Sequence, residues 1–294
     1  MPFHFKKAEP PGKALRRVCR KYIGEAQSRL RKSHRPAAVH GVRKEIKKLR
    51  AVFRLVRGEI GRGDYRKAAK GLRRAAGRLA ATRDARVRFQ AFAQLAGRRA
   101  ARHFPILQKA LLKDCRRESR RFRADDLVAL AERILRKTGR RVAGLNFAAS
   151  GWAAIAPGLM QSYRRGQQAG ELARREPSSE HFHEWRKQVK TFWHQLRLIC
   201  PKWPASTRKL TDQLERLGTL LGDGHDLDLL KQFVAEHAPA TEAAMLNPLI
   251  EARQKKLCIA ASKLGTQLYA KSPAIVCQQL AKDWNHWHGR DRKK

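Results

Sequence analysis

The chain has 294 residues, 42% of them apolar, and carries 66 Lys and Arg against 25 Asp and Glu, a formal net charge of +41 with a pI near 11.3. That length suffices for one large helical domain or two small ones, and the apolar content suffices for a core. The charge opposes compaction and exceeds what solubility asks for, so it points to a polyanionic partner: nucleic acid, inorganic polyphosphate or an acidic membrane surface. Cys19, Cys115, Cys200, Cys258 and Cys277 are widely spaced and form no CxxC pair, which excludes a zinc knuckle or a dithiol redox motif. Reduced thiols in the core of a cytosolic protein are expected instead. The start MPFHFKKAEPPGK has no apolar region and no small-residue cleavage site. No apolar run approaches the roughly 18 residues of a membrane span. A soluble cytoplasmic protein with no membrane partner is the expectation.

Residues 1–11 read as a flexible N-terminus ending at Pro10-Pro11-Gly12. A helix is predicted over about Lys13–Lys32 with Leu15, Val18, Cys19, Tyr22, Ala26 and Leu30 inward, broken by Ser33-His34-Arg35-Pro36. The next helix, about Ala37–Glu59, contains VHGVRKEIKKLRAVFRL. At 100° per residue His40, Arg43, Lys47, Arg50 and Arg54 fall within an arc of roughly 80°, with Lys44 beside it. Val42, Ile46, Leu49, Val52 and Phe53 fall opposite. The cationic row runs about 21 Å at about 1.5 Å per residue, longer than a single phosphate requires. Gly58, Gly61 and Gly63 mark a turn. A third helix, about Asp64–Ala81, bends at Thr82-Arg83-Asp84 and continues over 85–103. A break at His103-Phe104-Pro105 precedes helices at about Ile106–Phe122 and Asp125–Lys137, the latter capped by Asp125 or Asp126, and 139–144 read as a turn between halves.

The second half repeats the plan. Helices are predicted over about Pro157–Arg174, 180–199 and Ser206–Leu221, with breaks at 177–179 and 201–204. After Gly222-Asp223-Gly224-His225-Asp226-Leu227-Asp228, read as a loop, come helices at about 226–237, 240–263 and 273–287 and a frayed charged tail. No segment alternates with period two, so no strand is expected. FHEWRKQVKTFWHQLRL copies the ladder: His183, Arg186, Lys187, Lys190 and Arg197 match His40, Arg43, Lys44, Lys47 and Arg54, displaced by 143 residues. Trp185, Val189, Phe192 and Leu196 match the apolar face. Leu72, Arg74, Leu79 and Asp84 match Leu214, Arg216, Leu221 and Asp226 at a displacement of 142. Ordinary amphipathicity requires only the apolar face to recur. Two tandem helical units usually pack about a pseudo-two-fold axis, which would bring the ladders together as two walls of one basic cleft.

These residues resemble a CHAD domain, the α-helical family named for its conserved histidines. The resemblance rests on His40-Gly41-Val42-Arg43-Lys44 with its ladder, on the second copy from His183, and on Leu221–Asp228, which is similar to a Leu-Gly-x-x-Arg-Asp-Leu-Asp signature. It covers about 12–290, read as a single domain with repeats at about 12–140 and 145–290. The resemblance implies an all-α fold of two tandem pseudo-symmetric helical-bundle repeats, four-helix-bundle-like, enclosing a basic cleft. It also implies binding of inorganic polyphosphate and association with polyphosphate granules. Some members are fused to, or partner, triphosphate tunnel enzymes of the CYTH type, so a phosphate-metabolising enzyme is a candidate partner. No such acidic, strand-rich module is present in this chain. His225 stands where the signature has Arg, Arg83 keeps it in the first half, and Ala85-Arg86 lacks the second acidic residue.

The candidate polyphosphate ligands are His40, Arg43, Lys44, Lys47, Lys48, Arg50, Arg54, Arg74, Arg83, His183, Arg186, Lys187, Lys190, Arg197 and Arg216. Glu45 and Glu184 are the only acids inside the two ladders, so i,i+4 ion pairs do not account for the cations. Arg supplies a planar fork for two phosphate oxygens and Lys a mobile point charge. The two histidines either cap or pack near helix starts or donate to phosphate with a charge that rises as pH falls. Asp84, Asp226 and Asp228 either orient neighbouring arginines or hold Mg²⁺, and the former suits the shortage of converging carboxylates. Trp193 sits on the basic arc, placed to pack over an Arg or stack on a base. There is no Gly-rich phosphate loop, no nucleophile elbow and no acid/base constellation, so neither catalytic residue, metal nor cofactor is assigned. A non-catalytic polyphosphate-binding module is the expectation; an RNA- or DNA-binding protein and an accessory subunit of a phosphate-processing enzyme are the alternatives.

Overall fold

A computed structural model describes residues 3–32, 36–97, 100–124, 127–145, 149–200 and 202–288. They form α1 (Pro11–Lys32), α2 (Pro36–Leu55), α3 (Arg62–Arg78), α4 (Ala80–Ala96), α5 (Ala100–His103), α6 (Pro105–Ala124) and α7 (Leu127–Ala143). After a 3₁₀ turn at Gly151–Ala154 come α8 (Ala156–Arg175), α9 (Ser179–Ile199), α10 (Ala205–His237), α11 (Ala240–Leu268) and α12 (Pro273–His288). No strand occurs among the described residues, and no helix among them is long and apolar enough to cross a membrane. Helix starts follow local chemistry. Proline stands at the first position of α1, α2, α6 and α12, where its missing N–H costs nothing. Ser178 caps α9 by accepting from the His181 amide at 3.1 Å. Gly97, at φ +54°, ends α4.

In the first half α1, α2, α3 and α7 pack as a bundle; in the second α8, α9, α10 and α11 do, with α12 laid on α8. The halves are not separate bodies. Because α2 packs on both α8 and α9, one large core runs through both bundles and includes Leu15, Ile46, Leu49, Leu72, Tyr163, Trp185, Phe192 and Leu214. A second core forms where α4 and α6 meet the distal half of α10 and the start of α11, around Phe92, Leu107, Leu111, Leu230, Phe233 and Leu246.

Several expected boundaries move. The 139–144 turn is helix: α7 runs through Gly139 to Ala143, because Ala131, Ile134, Leu135, Thr138 and Val142 keep burying one face past the glycine. The bend expected at Thr82-Arg83-Asp84 falls earlier, at Leu79 between α3 and α4. The aspartate stretch is no loop. α10 passes unbroken through Gly222-Asp223-Gly224, since Leu214, Leu217, Leu221, Leu227, Leu230 and Val234 bury along its whole length. The start is not loose over residues 3–10. Phe5 is fully buried edge-on to Trp284, its amide donates to Leu198 O at 2.9 Å, and Phe3 stacks on Tyr22. Arg17 holds Glu9 at 2.6 Å. The expected break at 33–35, the Asp125 or Asp126 cap and most of the charged tail lie outside the described residues.

Candidate functional site

The two ladder helices meet. Gln195 Nε2 on α9 donates to Ala51 O on α2 at 3.1 Å, and Arg54 donates to Gln188 Oε1 and Thr191 Oγ1 at 3.3 and 3.0 Å. These bonds, one buried and two at the rim of the cleft, set the α2–α9 contact with both cationic faces turned into one cleft. The cleft is narrow, about 60 Å³, and is lined by Lys47, Arg50 and Arg54 from α2 and Arg186, Lys187 and Lys190 from α9, with Thr191 and His194. Two glycines on α10 make room for its side chains: Lys190 lies against Gly218, where an added Cβ would come within 2.7 Å of its Cε, and Arg186 lies against Gly222. Gly222 of the aspartate stretch therefore makes room for a cationic side chain rather than for a turn.

The cations repel one another. Lys47 reaches water with much of its surface, yet it stands in a concave wall. Loss of hydration first, and then Arg186, Arg43, Arg83 and Lys190, push its pKa down to about 7 from an ordinary 10.5. Burial and neighbouring cations likewise lower Arg43, Arg50, Arg186 and Lys190 from their ordinary values. Glu45 is spent on Lys48 at 3.0 Å and Glu184 on Lys187 at 2.5 Å. Among the described residues no carboxylate lies within ion-pair distance of Arg43, Lys47, Arg50, Arg54, Arg186 or Lys190.

At the head of the cleft, Arg83 joins the two halves. Its Nη1 donates to Asp84 at 3.0 Å and its Nη2 to Asp226 at 2.8 Å, so the two repeat-equivalent aspartates share one guanidinium. The orienting role expected for these two carboxylates is what their geometry performs. Asp228 instead accepts from Ser179 and Gln254 at 2.7 and 2.6 Å. Among the described residues no three His, Cys, Asp or Glu side chains converge as a metal group would need. His225, which replaces the signature arginine, packs against His183 with ring centroids 4.0 Å apart and planes tilted by 37°, and neither Nδ1 has a partner. Burial first, then Lys187 and Arg186, bring His183 down to about 4; burial, His183, Arg186 and Arg83 bring His225 to about 3. His40 is lowered by burial and then by Lys47, Lys44 and Arg83.

Arg43, Lys47, Arg50, Arg54, Arg186, Lys187 and Lys190 thus come together, with His40, Lys44, Arg83 and His183 around the head. Arg197 stands at the far end, 4.8 Å from the ring of a buried Trp193 that Lys190 also covers at 4.4 Å; packing over cations is the role Trp193 takes. Lys48 is turned to the edge, tied to Glu45 and set 4.9 Å from the Tyr22 ring. Arg74 and Arg216 are exposed on α3 and α10 at positions facing away from the cores that Leu72, Ala75, Leu214 and Leu217 enter. The residue beside Arg50 is Arg73, one position earlier. Sequence matching picked Arg74 because identity, not helix angle, aligned it with Arg216. His194 was also missed. It lines the cleft, and burial with Lys190, Lys48 and Lys47 holds its pKa well below the ordinary value; its spacing of four from Lys190 was the available signal.

The fold and this site define an all-α protein in which two sequence-related basic helices wall one cation-lined cleft. The CHAD domain family model matches residues 13–235, three quarters of the chain, and the chain belongs to that family. The match ends at the last turns of α10, so α11 and α12 lie beyond it, short of the 12–290 expected. A comparison with curated proteins gave no match.

Proposed function

We propose that this chain is a non-catalytic binding module for inorganic polyphosphate, acting in the cytoplasm and on polyphosphate granules. The observation that carries this reading is the meeting of six cations from α2 and α9 in one cleft, of which only Lys187 has a carboxylate partner, Glu184, among the described residues, while Glu45 is taken by Lys48. Such a cluster is costly in the free protein and is relieved by an anion that brings several charges at once. Polyphosphate carries its charges with no sugar or base between them, so single phosphates enter the narrow cleft while the polymer follows the line of cations. Family membership supports the same ligand. Trp193, the aromatic that shares the basic arc of its ladder helix, is buried, which favours polyphosphate over RNA in this cleft.

The test is binding of labelled polyphosphate across a salt series, with RNA as competitor at equal phosphate concentration. Replacing Arg43, Lys47, Arg186 and Lys190 together by Ala is expected to abolish binding with the helical circular dichroism intact. Arg74→Gln with Arg216→Gln, the outward-facing pair, is the control and is expected to change affinity less than about twofold. Log affinity should fall with log salt by about 0.7 to 0.9 per neutralised phosphate, as for nucleic acids. Unchanged affinity in the fourfold variant refutes the site, and equal competition by RNA refutes the selectivity. Loss of polymer length on incubation with Mg²⁺ or Mn²⁺ refutes the non-catalytic reading.

A further inference from the structure

The cleft does not end at Arg54. The same side chain also lines a larger cavity, about 840 Å³, where the end of α2, the following turn, the start of α3 and the start of α8 meet. Arg57, Arg62, Arg66 and Arg165 complete a ring of five arginines with Tyr65 among them, and no acidic residue lines the space. The nearby carboxylates are placed otherwise: Glu59 accepts from the Ala149 amide at 2.8 Å, and Asp64 is exposed in the first turn of α3. Among the described residues none of the five guanidinium groups lies within ion-pair distance of a carboxylate; Arg57 has only the Tyr65 ring, at 5.1 Å.

The basin is built by a close approach. A Cβ on Gly158 would lie 1.8 Å from Leu55 O, so the backbone of α8 rests directly on the end of α2. Arg165 lies two turns along the same face of α8 and is carried over the α2–α3 turn by that contact. Five like charges spread over a convex surface would be screened individually. Gathered around a hollow they raise the local field and the local concentration of anions. Arg54 belongs to both cavities and is fixed by Gln188 and Thr191, so the two positive regions are continuous.

We infer that this arginine basin is the second segment of one polyanion track, and that the protein thereby selects long-chain over short-chain polyphosphate. The inference rests on the polyphosphate reading of the cleft. A short oligophosphate is satisfied inside the ladder cleft; a long chain leaves past Arg54 and gains the basin's contacts.

The test compares tripolyphosphate with long-chain polyphosphate on three proteins across a salt series. These are wild type, the basin variant Arg57→Gln/Arg62→Gln/Arg66→Gln/Arg165→Gln, and a charge-matched control, Arg116→Gln/Arg120→Gln/Arg133→Gln/Arg136→Gln, at exposed sites on α6 and α7. Thermal melts confirm that each variant is folded. The basin variant is expected to lose at least about tenfold in long-chain affinity relative to the control, and about 3 in log–log salt slope, from four contacts at about 0.7 each. Its tripolyphosphate affinity should equal the control's. Equal long-chain affinity in basin and control variants overturns the track while leaving the cleft reading intact. Equal loss of short and long chains also overturns it, in favour of a general field effect. Failure of wild type to bind any polyphosphate overturns the cleft reading and the track with it.

Discussion

Lys47→Met should stabilise the free protein while weakening its hold on polyphosphate. The methionine keeps the length of the stem and removes a charge that faces Arg186, Arg43, Arg83 and Lys190. A fall from 10.5 to about 7 would correspond, for a fully desolvated group, to about 5 kcal/mol favouring the neutral amine. Water still reaches Lys47, and screening reduces the relief to about 1–2 kcal/mol. For a chain of this size that raises Tm by roughly 2–4 °C. The pH dependence has a definite sign. Between about 7 and 10.5 the unfolded chain holds a proton that the folded chain has released, so wild-type stability rises with pH across that window. The advantage of Lys47→Met is therefore largest below pH 7 and fades towards pH 10, and it shrinks in about 1 M salt, where screening acts over about 3 Å. Calorimetry of both proteins at pH 6, 7.5 and 9.5 in low salt measures it. A lower Tm for Lys47→Met at pH 6, or a difference independent of pH, would show that the Lys47 ammonium is well solvated and would refute the argument from clustered charge.

Three further outcomes are expected. The paired histidines His183 and His225 protonate at about 4 and about 3 in the fold against an ordinary 6.5, so acidification from 6.5 towards 4 loads protons onto the unfolded chain alone and lowers stability. His183→Gln with His225→Gln should flatten that slope in pH-dependent urea melts, and an unchanged slope would place its origin elsewhere. Gly158→Ala sets a methyl against the Leu55 carbonyl, a backbone contact with no flexible side chain to yield, and should cost about 2–3 kcal/mol or more; a wild-type Tm would show that α8 shifts freely. Arg83→Met leaves Asp84 and Asp226 without their shared partner and should cost about 1–3 kcal/mol, partly restored by adding Asp226→Asn. Equal losses in the single and double variants, read by chemical denaturation, would show the bridge to be energetically idle.

Much of the site was legible along the chain because helical periodicity is local. Arg43, Lys47 and Arg50 share an arc in any α-helix, as Arg186 and Lys190 do in theirs, and duplication of the cationic face separated these residues from ordinary surface charge. Elsewhere local chemistry has two readings. Gly222 signals a turn as readily as a crowded helix face, and Gly139 a boundary as readily as a neutral position in α7. Phe3 and Phe5 signal nothing until Tyr22 in α1 and Trp284, far along the chain, supply the surfaces that receive them.

The sequence by itself determined that the chain is all-helical, that two of its helices carry the same row of cations opposite an apolar face, and that acids are too few to neutralise them. Those properties follow from residue type and spacing. Only the tertiary structure decided that the rows face each other, that Arg83 joins Asp84 to Asp226, that Lys48, Arg74 and Arg216 stand apart, and that Arg57, Arg62, Arg66 and Arg165 gather around one hollow. Those facts depend on the crossing of α2 with α9 and on the contact of Gly158 with Leu55, which join residues more than a hundred positions apart and leave no trace in any local window.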